Sequence, residues 1–357
     1  MRIAIWLYVF IFIAFFDLHA QYPILTPYAI TLGATPSFIG LILGMYSITH
    51  LPGNLMAGIG VDRYGSKWFI AASLMVAGIL LLFQAQVTNP RQLLIIRSIS
   101  GFVLAFLSPA CLALLAKLAR DHIHRGKLMA GNGLVHTLAS VVSPAAGAML
   151  VAKLGYNTSF ALLGWGLLLT GILAGFFLKE STPGATLPPG SHPVHGDHPH
   201  PGKRADTSAA SASLKKDRGI PWLFFAMPLG ISCSQGILFF ELPLMYTGEE
   251  GVMTTGILFS LISVGSLITL SMLFLNRLSG FSRTVAGALS LAVVFYGMAV
   301  DWAVPIQVSL FLIGMAKGVA YPAMSVLLAS VTSETKYGRA FSILSVASSV
   351  GAFIGPV

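Results

Sequence analysis

Seven ionisable side chains lie inside long apolar stretches of this chain, where a charged group is costly. They are Asp17, His19, His50, Arg97, His136, Glu241 and Lys317. A carboxylic acid that is shielded from water favours its neutral form, whereas a nearby arginine favours the carboxylate. An acid whose hydration and pairing change can therefore take up and release a proton. Reversible proton binding is the chemistry that these residues predict, with Asp17 as the main proton carrier, Arg97 as its tuning partner and Glu241 as a second acid.

The apolar stretches that hold these residues predict membrane-spanning helices. Hydrophobic residues make up 55% of the 357 residues and charged residues only 9%, whereas a soluble domain carries about 25% charged residues. A helix needs about 20 apolar residues to cross a bilayer. The apolar runs predict eleven spans, over residues 3–30, 37–60, 68–87, 92–116, 129–152, 158–178, 221–246, 254–275, 284–300, 305–330 and 340–357. A cleaved signal peptide is the alternative for the first run, but that run continues to Ala29, which favours a span.

The basic residues predict the orientation of these spans. A net charge of +9 would also suit a nucleic-acid partner, but seventeen of the 21 Lys and Arg residues fall in segments on one side of the predicted membrane. Only Arg91 and Lys153 fall on the other side. Because cytoplasmic loops carry an excess of Lys and Arg, the N-terminus is expected in the cytoplasm. A multi-pass protein of the plasma membrane, without nucleic acid, is predicted.

Residues 179–220 divide the predicted spans into six and five. The segment is rich in Pro, Gly, Ser, His and charge, a composition that cannot bury a core and that predicts a flexible cytoplasmic linker. The predicted domains are therefore a six-helix bundle at 1–178, the linker at 179–220 and a five-span bundle at 221–357. Four linker histidines could bind zinc, nickel or copper loosely, but adventitious binding or none is the more ordinary interpretation, and no resident metal or cofactor is predicted: His192, His195, His198 and His200.

Removing residues 185–212 should leave the activity of the two bundles largely intact. A linker of this composition needs only enough length to connect the two bundles. The activity and the zinc tolerance of the deletion variant, compared with those of the full chain, check the expectation. Loss of zinc tolerance alone would instead give the linker histidines a metal-binding role.

The two halves of the chain resemble each other. "FFDL" at 15–18 matches "FFEL" at 239–242, and "SPACLALLA" at 108–116 matches "YPAMSVLLA" at 321–329, in corresponding spans and in the same order. Two halves of parallel topology, joined by a cytoplasmic linker, are typical of transporters built from repeats.

The loop between the second and third spans, "GIGVDRYGSK" at 58–67, resembles the signature loop of the major facilitator superfamily. Ser66 departs from the pattern, where a basic residue is usual. Glycines permit a tight turn and close helix contact. In that family the carboxylate, here Asp62, is expected at the N-terminus of span 11, near Arg339, where it latches the cytoplasmic side. The matching positions are Gly58, Asp62, Arg63, Gly65 and Lys67.

Spans 4 and 5 add two weaker similarities. "RSISG" at 97–101 resembles the R-x-x-x-G of the fourth span in that family, and "ASVVSPAAGA" at 139–148 resembles the antiporter motif of its fifth span. Pro144 and Gly147 match the motif, and Ser143 occupies a glycine position, where a small side chain preserves close helix packing. The resemblance is greatest to the drug:proton antiporter branch.

The resemblance implies an all-α membrane protein of two six-helix bundles, here with eleven spans and the twelfth missing. In the family, spans 1, 4, 7 and 10 line a central cavity. Asp17, Arg97, Glu241 and Lys317 fall one to each of these spans, and His19 is a further candidate. At 1.5 Å per residue, Asp17 and Arg97 lie about 18 and 21 Å above the inner face, so they could pair.

The implied function is proton-driven export of a small amphipathic solute or drug by a monomeric secondary transporter. A proton-coupled importer or metabolite exporter of the same fold is the closest alternative, and a membrane sensor without transport is another. ATP drive is not supported because the sequence has no Walker loop. No Ser/His/Asp or zinc-protease constellation appears in it, so an enzyme is not predicted.

Overall fold

The computed structural model describes residues 2–119, 122–178, 222–246, 248–272, 274, 278–332 and 337–357. The described chain is almost entirely helical. The predicted linker with its four histidines lies outside these residues.

The described part of the chain forms twelve α-helices, and a short 3₁₀ turn at Trp222–Phe225 precedes the eighth. In chain order they are α1 (Arg2–Ala20), α2 (Tyr22–Thr31), α3 (Pro36–Tyr64), α4 (Ser66–Gln84), α5 (Pro90–Leu104), α6 (Leu107–Leu118), α7 (His122–Phe177), α8 (Ala226–Met245), α9 (Gly248–Ser271), α10 (Gly280–Ala299), α11 (Ile306–Val331) and α12 (Tyr337–Ile354).

Three breaks in the helices have local causes. Pro23 and Pro109 lie in the first turns of α2 and α6, and a proline there cannot donate to the carbonyl four residues back. The first span is therefore divided into α1 and α2, and the fourth into α5 and α6. Gly155 interrupts α7 with φ 75°, a left-handed conformation that glycine adopts at little cost.

Eight stretches of described residues are long and apolar enough to cross a membrane. One of them, Lys127–Phe177, has 51 residues, enough for two crossings at about 20 residues each. The prediction of an all-helical membrane protein is confirmed. The number of eleven spans stays a prediction.

Two hydrophobic cores hold the helices together. The larger core is built mainly from α1 to α7, with Leu7, Phe10 and Phe160 fully buried. The smaller core joins α8, α9, α10 and α11 and includes Leu310 and Ile313. The presence of two separate cores is consistent with the two predicted helix bundles. The domain boundaries at 178 and 221 stay predictions.

The two halves meet closely where α3 begins and α12 ends, and we call this contact the α3–α12 seam. Gly40 packs directly on the backbone carbonyl of Pro356. A Cβ atom on Gly44 would lie only 2.8 Å from the Phe353 ring. The seam therefore depends on the absence of side chains at two α3 positions.

Candidate functional site

A buried polar network joins the first and fourth predicted spans. Asp17 is 2% exposed and Arg97 is 4% exposed. Gln21 lies between them: its Nε2 donates to Asp17 Oδ2 over 3.0 Å, and its Oε1 accepts from a terminal nitrogen of Arg97, also over 3.0 Å. Sequence reasoning predicted that Asp17 and Arg97 could pair, and the structure links them through a glutamine.

The position of Gln21 follows from the helix break. Gln21 is the residue between α1 and α2, four residues after Asp17, so the two side chains lie on one helical face. Gln84, at the end of α4, donates to Gln21 Oε1 over 3.4 Å. Gln21 thereby accepts two hydrogen bonds and donates one, and it connects three predicted spans. The signal that could have revealed it is an amide side chain four residues after the buried acid.

Two atoms of the network have no hydrogen-bond partner among the described residues. They are Asp17 Oδ1 and Arg97 Nε, both buried. The guanidinium carbon of Arg97 lies 4.6 Å from the centre of the Tyr46 ring, which adds a cation–π contact. The free carboxylate oxygen gives Asp17 a place to hold a proton without losing its bond to Gln21.

Two cavities between the halves lie beside this network. We call the first the lysine cavity; it has a volume of about 300 Å³ and is lined by Lys317, His19 and His136, among others. We call the second the arginine cavity; it has a volume of about 370 Å³ and is lined by Arg97 and His50, among others. Each draws residues from both halves of the chain.

Four side chains line both cavities and form the wall between them. The Tyr22 and Phe239 rings stack with their centres 4.3 Å apart. Tyr321 donates its hydroxyl to Gln235 Oε1 over 3.5 Å. The wall joins α2 of the first half to α8 and α11 of the second half.

His19 faces the lysine cavity, whereas Asp17 faces Gln21. This agrees with an offset of about 200° between residues two positions apart on a helix. The rings of His19 and His136 meet edge to face with centres 5.3 Å apart. His19 Nδ1 lies 2.7 Å from the Phe15 carbonyl oxygen, and because a carbonyl only accepts, this nitrogen carries the proton in the contact.

The structure does not bring Glu241 to the other charged residues. Glu241 is exposed on α8, and it is not among the described residues that line the two cavities. The expectation that it faces a central cavity therefore differs from the structure. The counterpart of Gln21 in the second half is Met245, which offers no amide to hold a buried acid.

The predicted latch loop lies at the α3–α4 turn. Gly65 has φ 90° between the two helices, a conformation that favours glycine. Lys67 places its ammonium 5.4 Å from the centre of the Trp68 ring. The side chains of Asp62 and Arg339 lie outside the described part of the structure, so the latch contact stays a prediction, as do the roles of Gly58 and Arg63.

The antiporter-like stretch lies where α7 meets α1 and α9. The Ser143 hydroxyl donates to the Ala139 carbonyl in the same helix. Pro144 lines the lysine cavity. A Cβ atom on Gly147 would lie 2.8 Å from Ala20 Cα, so the helices approach closely at this glycine. A small residue at Gly147 permits this approach, and the antiporter role of Ser143, Pro144 and Gly147 stays a prediction.

Two helical halves with cavities between them, each lined by a basic residue among apolar side chains, are typical of membrane transporters. The family model of the Major Facilitator Superfamily matches residues 7–356. The chain belongs to this superfamily, and its members are transporters that bind small molecules. The predictions of this family and of a protein that is not an enzyme are confirmed.

Similarity to known transporters supports the assignment to this family. The chain is 29% identical over 158 residues to an uncharacterized transporter of this superfamily from Methanocaldococcus jannaschii, over 44% of this chain and 41% of the relative. It is 22% identical over 323 residues to a multi-drug resistance efflux pump of Streptococcus pneumoniae, over 90% of this chain and 78% of the pump. The chain thus spans less than half of the first relative.

Among solved structures, the fold resembles a bacterial homolog of the human lysosomal transporter Spinster in an inward-facing, unoccupied conformation. The TM-score is 0.75 at 13% identity, over 99% of this chain and 80% of the other. At this identity the similarity shows the fold alone.

Proposed function

We propose that the chain is a proton-coupled secondary transporter that exports a small amphipathic solute from the cell by alternating access. The observation that carries this proposal is the Asp17–Gln21–Arg97 network, buried at a helix break beside both cavities. An ionisable group inside a membrane is costly, and such groups typically mark proton or substrate pathways. Similarity to an efflux pump supports export.

In the proposed cycle, Asp17 binds a proton at Oδ1, which has no hydrogen-bond partner among the described residues. Protonation removes the negative charge that Arg97 stabilises through Gln21. Because Gln21 lies at the α1–α2 break, this change acts where the first span bends most easily. Transport then follows from two arrangements of α2 against the second half, one favoured by each protonation state.

The α3–α12 seam supports an inward-facing state. With the predicted N-terminus in the cytoplasm, the start of α3 and the end of α12 lie at the outer face. Contact of the two halves there closes the cavities to the outside. The protein would act as a monomer in the plasma membrane, because both cavities are built within one chain.

Proteoliposomes with an imposed pH gradient test the proposal. The full chain is reconstituted, a panel of amphipathic solutes is loaded, and solute and proton movements are followed together. The expected result is solute flux that collapses when the gradient is removed by an ionophore. Solute uptake in the direction of proton movement would favour the importer alternative. Solute flux that does not depend on the pH gradient would overturn proton coupling.

Asp62→Asn should slow transport about tenfold without reducing the amount of protein in the membrane. The asparagine amide lacks the negative charge that a helix N-terminus favours, and this interaction is worth about 0.3–2 kcal/mol. The apolar spans that direct membrane insertion are unchanged. Flux per membrane-inserted molecule is the measurement. Parent-like flux in this variant would remove the latch from the proposal.

A further inference from the structure

We propose that the lysine cavity binds an organic anion, with a carboxylate held by Lys317 and an apolar body packed against α9. This inference rests on the proposed function, because it names the chemical class of the solute. It places the cationic residue of the cavity in substrate recognition, a task separate from the proton binding assigned to Asp17.

The charge of the cavity linings points to an anion. Of the described residues that line the two cavities, Lys317 and Arg97 are the Lys and Arg side chains, and none is Asp or Glu. Arg97 contacts Gln21 and the Tyr46 ring and lines the arginine cavity. Lys317 is therefore the basic side chain that the lysine cavity offers to a ligand. A cationic solute would meet two like charges and no carboxylate in these linings.

Lys317 makes no hydrogen bond or ion pair with any residue of the described chain. An unpaired ammonium inside a membrane protein costs about several kcal/mol of free energy when water is excluded. Water in the cavity, a bound anion or loss of the proton relieves this cost, and a bound anion is the option that favours the charged form. A carboxylate supplies the opposite charge and accepts a charge-assisted hydrogen bond, the stronger type of hydrogen bond in proteins.

The serine hydroxyls of the cavity are already engaged, whereas neutral donors such as Tyr22 and the Gln235 amide also line it. Ser140 and Ser266 each donate to a backbone carbonyl over 2.8 Å, and Ser263 donates to a third over 3.4 Å. With their hydrogens engaged, these side chains do not provide free donors to an anion. Because Lys317 is the Lys or Arg side chain in this lining, the preference for a charged over a neutral ligand should depend mainly on it.

The rest of the cavity fits an apolar body. Phe259, Ile262 and Leu270 line it from α9, and Phe239 lines it from α8. A volume of about 300 Å³ is at the lower end of small-molecule sites, which span about 300–1,000 Å³. An aromatic or short aliphatic carboxylate meets the charge, the apolar wall and the size together.

Binding of three probes to the purified full chain in nanodiscs tests the proposal. The probes are 2-naphthoate, 2-naphthamide and 2-naphthylmethylammonium, which share a ring and differ in charge. Calorimetry should show that 2-naphthoate binds at least about tenfold more tightly than the ammonium probe, the size of effect expected for one charged hydrogen bond. Lys317→Gln should lose that preference and leave 2-naphthamide binding unchanged within about twofold.

Two further variants complete the experiment. Lys317→Arg keeps the charge and should retain the preference for 2-naphthoate. Lys153→Gln makes the same chemical change at an exposed position two residues before the Gly155 break in α7 and should match the parent. Tighter binding of the ammonium probe, equal 2-naphthoate affinity in the parent and Lys317→Gln, or no 2-naphthoate binding to the parent would each overturn the proposal. Because no pH gradient is used, a failure of proton coupling alone would not affect this result.

Discussion

Asp17→Asn is expected to reduce pH-gradient-driven transport to the level of empty liposomes while solute binding stays measurable. The asparagine keeps the size of the side chain, and its carbonyl oxygen can still accept the hydrogen bond from Gln21. It cannot titrate, so it separates proton coupling from packing. Because the group is buried and linked to Arg97, its loss removes the switch proposed for the α1–α2 break.

The measurement is solute flux in proteoliposomes with and without a pH gradient, together with solute binding at several pH values. Glu250→Gln is the matched control, since it removes the charge of an exposed acid in the first turns of α9 and should transport like the parent. Should Asp17→Asn transport against a gradient as well as the parent, with the same pH profile of binding, Asp17 is structural. Glu241→Gln would then be the next variant to examine.

Gly40→Ala is expected to open the α3–α12 seam and to slow transport about tenfold. A methyl group at this position overlaps the Pro356 carbonyl, a backbone group that cannot rotate away. Small-to-large changes in packed regions cost about 1–3 kcal/mol, enough to displace an equilibrium between two conformations by tenfold or more. The conformation closed at this end should lose population.

Spin labels on exposed Ser37 and Ile354 report the width of the seam, after replacement of Cys111 and Cys233. The distance distribution of Gly40→Ala should shift to longer values than that of the parent. Gly175→Ala is the control, because no atom lies within 4 Å of a Cβ built there. An unchanged distribution together with normal flux would show that the seam tolerates a side chain.

Most of the helical fold and part of the candidate site could be predicted from the sequence. Apolar runs about 20 residues long predict membrane helices because the bilayer fixes their length. The same pattern placed Asp17 and Arg97 inside the first and fourth spans at similar depths. Gln21 was not predicted, because its role depends on a helix break that brings its amide between two charges.

Glu241 shows where pattern matching between halves fails. "FFEL" repeats "FFDL", but the two acids have different surroundings: Asp17 has Gln21 four residues later, whereas Glu241 has Met245. A repeat preserves the approximate position along a helix. Burial of an acid also requires partner groups from neighbouring helices, and these are set by three-dimensional packing. The shared wall between the cavities was not predicted for the same reason.

The Tyr22–Phe239 stack has a kinetic consequence. A stacked aromatic pair contributes about 0.5–1.5 kcal/mol beyond the area that it buries, and about 1.4 kcal/mol corresponds to a tenfold population ratio. The stacking contribution alone therefore favours the closed wall by about two- to tenfold, and burial of the two rings favours it further. The two rings belong to opposite halves of the chain. A solute that passes between the lysine and arginine cavities must therefore separate a contact between the halves, so its passage is expected to accompany their movement.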